Sequence, residues 1–338
     1  MARGRRSAVD PSPKSRAHRM RRQRRTAAMI ELFSESRVEL SRLILPVFVK
    51  PGGGPPEPIA SMPGVLRYSA EGVGKLAREL DREGVRAVLL FGLPRRKDAR
   101  GSEADSPRSA VATALRTFRK VSPEIVRFSD VCLCAYTDHG HCGVLQGRTI
   151  DNDASLERLA SIARVHAEAG ADYVGPSAMM DHQVLALRSA LDSDGYADVG
   201  ILAYAAKFAS SFYGPFREAE DSTPSFGNRR SYQMDPRNAR EALAEIDQDA
   251  EEGADILMVK PALPCLDILA RARARVDRPL AAYQVSGEYA MIKAAAERGW
   301  LEENAAIRES LTAIHRAGAD LIVTYFARAF AEMAREAR

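Results

Sequence analysis

Glu168-Ala169-Gly170-Ala171-Asp172-Tyr173-Val174 decides the fold, because the phrase recurs along the chain. Glu252-Gly253-Ala254-Asp255-Ile256-Leu257 and Arg316-Ala317-Gly318-Ala319-Asp320-Leu321-Ile322 repeat it, and Glu83-Gly84-Val85-Arg86-Ala87-Val88 is a degenerate copy. In each, an Ala- and charge-rich stretch with helical spacing runs to a glycine and passes directly into β-branched and aliphatic residues. A glycine accepts the left-handed conformation that ends a helix, and an unbroken apolar run suits a strand covered on both faces. The phrase therefore predicts a helix, its cap and a buried strand, the αβ junction of a βαβ unit.

Working outward, short apolar strand candidates fall at 43–49, 86–92, 125–133, 172–176, 199–204, 255–259, 279–285 and 320–325. Most are separated by enough chain for a helical crossover, and none is joined by the two-residue turns of hairpins, which predicts a parallel sheet. Eight such units predict a (β/α)8 TIM barrel. A doubly wound sheet is the runner-up, disfavoured because no glycine-rich phosphate fingerprint follows the early strands; Pro51-Gly52-Gly53-Gly54-Pro55-Pro56 reads as a loop. A chain of 338 residues suits one such barrel. The expected division is a basic N-terminal arm over residues 1–35 and a barrel catalytic domain over 36–338.

At 46% hydrophobic and 28% charged residues, the composition excludes disorder, collagen and a disulfide miniprotein. No apolar run approaches the ~20 residues that span a bilayer, so an integral membrane protein is not expected. Of 49 Lys and Arg and 45 Asp and Glu, ten bases and one acid lie within residues 1–25, so the remainder holds 39 bases against 44 acids and carries −5. An acidic body argues against a nucleic-acid surface and gives the basic arm a separate job. Without an apolar core segment the arm is not a secretory signal, and docking on another subunit is favoured over an organellar address. Four cysteines, three of them within eleven residues, do not form a secreted disulfide framework, and a reducing cytoplasm is the expected compartment.

In a barrel, chemistry sits at the C-terminal strand ends. Those ends carry Cys132 and Cys134, Ser177, Lys207, Lys260, Ser286 and Tyr325. Lys260 follows Ile256-Leu257-Met258-Val259 with no polar spacer, and Lys207 follows Ala203-Tyr204-Ala205-Ala206. A single such lysine is as readily a snorkelling or ion-paired side chain. Two on adjacent strands change the reading, since desolvation and mutual repulsion favour a neutral amine, and a neutral amine attacks a ketone to form a Schiff base.

The second constellation is Asp130-Val131-Cys132-Leu133-Cys134-Ala135-Tyr136-Thr137-Asp138-His139-Gly140-His141-Cys142-Gly143. Three thiols at this spacing can hold one zinc and leave its fourth position open, as catalysis requires. A structural zinc with His139 or His141 as fourth ligand is an alternative, and free buried thiols are a third. Cys265, alone on another segment, reads as an ordinary small core residue. The third feature is the long stretch from Phe212 to Met234, far more chain than a βα loop needs and therefore a lid. Within it, Arg217 and Arg229 offer bidentate forks to carboxylates, against the plain alternative of solvated surface arginines.

These residues, together with Leu43-Ile44-Leu45-Pro46-Val47-Phe48-Val49, Ser61-Met62-Pro63-Gly64-Val65, Lys97-Asp98, Gly101-Ser102-Glu103-Ala104 and Leu321-Ile322-Val323-Thr324-Tyr325-Phe326, resemble one family over nearly the whole chain: porphobilinogen synthase, or 5-aminolevulinate dehydratase. Its most specific motifs are the cysteine block, Met258-Val259-Lys260-Pro261 and Tyr283-Gln284-Val285-Ser286-Gly287-Glu288-Tyr289. The resemblance implies a lyase that condenses two 5-aminolevulinate molecules into porphobilinogen with loss of two waters, in tetrapyrrole and heme biosynthesis. It implies that Lys260 holds the substrate forming the propionate side and Lys207 the one forming the acetate side. By the same resemblance Cys132, Cys134 and Cys142 bind a catalytic zinc, Arg217 and Arg229 clamp the acetate-side carboxylate, and Ser286 and Tyr325 clamp the propionate-side one. Gln233, Asp130 and Ser177 line the site, Glu245 resembles a carboxylate of an allosteric magnesium site, and the family's arm embraces neighbours in a homo-octamer.

The chain departs from the family pattern at Ala178-Met179-Met180-Asp181-His182-Gln183, where Asp after the serine and Gly-Arg after Met-Met-Asp are usual, and at Asn228, where Asp is usual. Two rival functions remain at this level. A Schiff-base aldolase shares the barrel and one lysine but has no use for a second lysine and three thiols; a zinc-binding nucleic-acid protein conflicts with the acidic body.

Overall fold

The computed structural model describes residues 19–336, and its contacts divide the chain into a unit ending at Arg37 and a unit beginning at Val38. The part of the basic arm within residues 1–18 lies outside the described residues. The described part of the first unit holds a 3-10 turn, Met20–Arg24, and a short helix, Ala27–Leu32, whose first turn is closed by Thr26 Oγ1 accepting from the Met29 N–H at 3.2 Å.

The second unit is built on eight strands: β1 Leu43–Lys50, β2 Ala87–Gly92, β3 Val126–Val131, β4 Tyr173–Pro176, β5 Gly200–Lys207, β6 Ile256–Lys260, β7 Leu280–Gln284 and β8 Leu321–Thr324. All neighbouring pairs are parallel, and the sheet closes where β8 returns to β1 with Leu43 opposite Ile322 and Ile44 opposite Val323. A helix follows each strand, so the parallel crossovers inferred from the repeat are present and the fold is a (β/α)8 barrel. Among the described residues no helix is long and apolar enough to cross a membrane.

The repeated phrase does more than cap and start. Gly84, Gly170, Gly253 and Gly318 all have positive φ, which a side chain resists. The aspartate two residues on is a cross-strand clamp. Asp172 accepts from the Arg127 N–H at 2.7 Å, Asp255 from the Ile201 N–H at 2.7 Å and Asp320 from the Leu280 N–H at 2.9 Å. Each carboxylate thus satisfies a backbone donor at the start of the neighbouring strand, a place where the ladder has not yet begun.

Two small antiparallel excursions were not anticipated. Glu57–Pro58 pairs with Leu66–Arg67, and Val144–Gln146 folds back on Thr149–Asp151 around Gly147, at φ +65. The second is a two-residue hairpin, hidden because Gly147-Arg148 lacks the Asn-Gly or Asp-Gly signal of such turns. Strand ends also shift: β3 stops at Val131, leaving Cys132 and Cys134 in the loop beyond it, while β5 runs on to include Lys207.

Candidate active site

The two lysines end adjacent strands, and the register pairs Lys260 directly with Lys207. Both are buried, at 4% and 5% exposure. Lys207 Nζ donates to the Ser177 carbonyl at 2.5 Å. Lys260 Nζ has no hydrogen-bond acceptor or ion-pair partner among the described residues. It faces aromatic rings, 4.2 Å from the Tyr283 centroid, 4.9 Å from Phe216 and 5.2 Å from both Tyr204 and Tyr213. Such rings attract a cation weakly, but they supply no acceptors for three N–H bonds. Burial first, and the Lys207 charge second, push the Lys260 amine down to about 7, against the opposing pull of Asp130 and Glu220.

Asp130, next to last in β3, is half-buried, with its Oδ1 buried and unpartnered. Burial raises it to about 6, with Lys207 the main opposing charge. Beyond β3 the thiols of Cys132, Cys134 and Cys142 lie within 4.8 Å of one another, all buried, with the Cys132 and Cys134 sulphurs 3.4 Å apart. Cys132 and Cys134 pull the Cys142 thiol well below its usual range, while Cys134 is pushed up by the other two thiols and by burial. Three crowded sulphurs do not all ionise unless a cation joins them. A set of soft sulphur donors fits zinc and does not fit magnesium, which takes oxygen.

The histidines of the block do not belong to this group. His139 Nε2 faces the Ala99 carbonyl at 3.3 Å and its Nδ1 accepts from the His141 N–H at 3.1 Å. His141 uses its nitrogens on the Tyr232 hydroxyl and the Phe226 carbonyl, each at 3.1 Å. With every imidazole nitrogen engaged, the alternative of a histidine as fourth ligand has no support. Cys265 is buried and outside the thiol group, as expected of a core residue.

The stretch after β5 folds over the strand ends. Gly287 lets it approach, since a Cβ there would stand 2.6 Å from the Phe212 carbonyl oxygen. Ser286 Oγ accepts from the Phe216 N–H at 3.0 Å and donates to the Phe212 carbonyl at 3.2 Å, pinning the same segment. Arg229, 5% exposed, donates to the carbonyls of Gly140, at 2.9 Å, and Ser222, and keeps its Nε unpartnered. Burial opposes its charge, yet the Cys142 and Cys134 sulphurs outweigh that and hold it cationic. Arg217 also has a buried, unpartnered Nε; burial and then repulsion from Arg229 push it down. Gln233 is buried with its amide Nε2 free. Tyr325 shares a 3.0 Å hydroxyl contact with Tyr283 and is pushed up by burial.

Sequence reasoning missed two residues here. Glu288 accepts from the backbone N–H of Val285, Ala262 and Leu263, tying the turn after Lys260 to the start of the helix Ser286–Glu297 after β7. Glu220 is 2% exposed and its Oε2 stands 3.6 Å from Cys134 Sγ; burial and then Asp130 raise it to about 8. Flanked by Ala219 and Asp221, it carries no signal of burial.

Glu245, on the helix Ala239–Glu251, lines a cavity of about 410 Å³ with Asp181, His182, Glu241, Gln248 and Asp249 that also reaches Tyr204, Tyr232 and Gln233 of the site above. Burial, then Asp181 and Glu241, push it up; Asp249 makes no side-chain hydrogen bond among the described residues and is raised to about 8 by burial and by Glu252 and Glu245. The atypical stretch before it is well satisfied. His182 adopts φ +62 with Nδ1 2.7 Å from Glu252, and Gln183 accepts from the Met180 N–H at 3.3 Å while donating to the Pro176 carbonyl at 3.1 Å. Asn228 Oδ1 accepts from the Arg230 N–H at 2.9 Å, which an aspartate would do equally.

Comparison with known proteins points one way. The family model for delta-aminolevulinic acid dehydratase matches residues 17–333. The delta-aminolevulinic acid dehydratase of Streptomyces coelicolor is 52% identical over 324 residues, 95% of this chain and 97% of that one. That of Methanothermus sociabilis is 49% identical over 309 residues, 91% of this chain and 96% of its own. Among solved structures, the delta-aminolevulinic acid dehydratase (porphobilinogen synthase) of Toxoplasma gondii, in complex with the reaction product porphobilinogen, superimposes with a TM-score of 0.92 at 43% identity, covering 95% of this chain and 92% of that one.

Proposed function

The chain belongs to the delta-aminolevulinic acid dehydratase family, and from that premise we propose how its own residues carry the reaction. Its activity is that of porphobilinogen synthase, a lyase of porphyrin and heme biosynthesis that joins two 5-aminolevulinate molecules into porphobilinogen. The observation that supports the residue assignment best is the register pairing of Lys207 with Lys260, in a fold that also gathers a buried three-thiol group.

Lys260, pushed down to about 7 and so in good part a free amine near neutral pH, attacks the ketone carbon of the substrate that becomes the propionate side. The carbonyl oxygen leaves as water, the amine protons are given up, and an imine remains. Asp130, half-buried and within electrostatic reach of both lysines, takes and returns those protons. Lys207 holds the acetate-side substrate in the same way. Arg217 and Arg229 hold the acetate-side carboxylate, Ser286 and Tyr325 the propionate-side one, and Gln233 and Ser177 complete the polar lining. Cys132, Cys134 and Cys142 hold zinc, which when bound supplies a Lewis acid for the second substrate.

Glu245, with Asp249 on the same cavity, offers oxygen donors suited to an allosteric magnesium. The chain works as a homo-octamer in the cytoplasm, without nucleic acid or membrane, with an arm over residues 1–35 docking on a neighbour and the barrel over 36–338 carrying the chemistry. Support for the first is the opposite charge of arm and body, and for the second the four free cysteines. Borohydride reduction in the presence of 5-aminolevulinate, followed by peptide mass spectrometry, tests the assignment: the first adduct is expected on Lys260, and a trapped adduct on neither lysine refutes it.

A further inference from the structure

Tyr204 is a phenol that the reaction as derived above leaves unused. It is wholly withdrawn from solvent, and its hydroxyl has no hydrogen-bond partner among the described residues. The other tyrosines around Lys260 are satisfied: Tyr213 Oη donates to the Phe208 carbonyl at 2.7 Å, and Tyr283 shares its 3.0 Å contact with Tyr325. A buried hydroxyl without a partner has given up its bonds to water and gained nothing in return, so its presence calls for a reason.

A bulge in β5 brings this side chain into the site. Ala203 opposes Leu257 of β6 and Ala206 opposes Val259, three steps along one strand against two along the other. Residues three apart on a regular strand point to opposite faces, and one extra residue between them returns both to the same face. Tyr204 and Lys207 accordingly lie together: the Tyr204 ring centroid is 5.5 Å from Lys207 Nζ and 5.2 Å from Lys260 Nζ. Gly175 in β4 gives the ring room, since a Cβ there would stand 3.3 Å from Tyr204 Cε2.

Burial first, and Asp130 next, push the phenol well above its usual range, so it keeps its proton and stays a donor. Asp130 Oδ1 is itself buried without a partner. A donor and an acceptor left unpaired near one amine suit a group that accepts one hydrogen bond and donates another. The hydroxyl formed when an amine adds to a ketone is such a group. We propose that Tyr204 is a catalytic residue of imine formation at Lys260, its hydroxyl donating to the substrate's ketone oxygen as the amine adds and holding that oxygen until it leaves as water. The C–N bond forms as the carbonyl bond becomes single, and turns double as the C–O bond breaks. Both amine protons depart in the water, and Tyr204 keeps its own. The donor is in place before charge develops on the oxygen, which is where such a bond lowers a barrier most. The inference rests on Lys260 forming the imine.

The test compares full-length wild type with Tyr204→Phe, which removes one oxygen and keeps the ring beside both lysines. Each protein is mixed with 5-aminolevulinate, quenched with borohydride at successive times and digested, and peptide mass spectrometry follows the adduct on Lys260. The variant should form that adduct ~10²-fold more slowly than wild type, the size expected for loss of one preorganised donor. Its thermal midpoint should equal or exceed that of wild type, because no partner in the resting protein is orphaned. Adduct formation at the wild-type rate overturns the proposal. So does a variant that fails to fold or melts well below wild type, since the hydroxyl would then serve the fold through a bond to Asp130 or another group. Absence of an adduct on Lys260 in wild type refutes the lysine assignment itself, a separate failure.

Discussion

Lys260→Met should abolish turnover and make the protein more stable at neutral pH. The Lys260 amine falls from its ordinary 10.5 to about 7, mainly because burial strips water from the charge. At pH 7.5 an unfolded lysine sits about 3 units below its pKa and keeps its proton, whereas the folded one has lost most of it. At about 1.4 kcal/mol per unit, discharging it costs the native state about 4 kcal/mol. Because the folded value lies below the unfolded one, the native state binds fewer protons between pH 7 and 10.5, and wild-type stability rises with pH through that window. Methionine fills similar volume among the rings of Tyr283, Phe216, Tyr204 and Tyr213 and carries no such cost. The advantage of the variant should therefore be greatest below pH 7 and shrink steadily toward pH 10. Urea unfolding of both proteins at equal concentration across pH 6.5 to 9.5 measures it. A variant no more stable than wild type at pH 7.5, with a difference that does not change with pH, would show that Lys260 keeps its proton and that the neutral-amine argument is wrong.

Chelation should remove activity while leaving far-ultraviolet circular dichroism unchanged, and zinc but not magnesium should restore it; rescue by magnesium alone counts against the thiol centre. Gly287→Ala should lower activity and raise KM, with about 1–3 kcal/mol of destabilisation from the clash with Phe212; unchanged steady-state kinetics would mean that the segment after β5 does not need that close approach. Glu252 raises the His182 imidazole above its ordinary value, so their pairing contributes stability below pH 6.5 that is lost as pH rises through the folded value. In Glu252→Gln the His182 ring resonances should titrate at lower pH than in wild type, and an unmoved titration midpoint would exclude Glu252 as the cause.

What the sequence determined by itself is local. A glycine between an Ala-rich amphipathic stretch and an apolar run has few alternatives to a left-handed cap, so Gly170, Gly253 and Gly318 marked the junctions and counted out the barrel. Because a parallel barrel collects all C-terminal strand ends on one face, Lys207, Lys260, Cys132 and Cys134 were readable as neighbours before any contact was known. Only the tertiary structure decided what surrounds them. The direct register of Lys260 against Lys207, the ring cage around its amine, the engagement of His141 away from the thiols, and the cross-strand clamp of Asp320 on Leu280 join residues 23 to 91 positions apart. Glu220 is the sharpest case, an acid between Ala219 and Asp221 that reads as solvated and is buried against Cys134, 86 residues away. Periodicity reports which backbone conformation a segment prefers, whereas desolvation and Coulomb interaction depend on which segments are brought within a few ångströms, and that is settled by closure of the barrel and the packing of its longest loop.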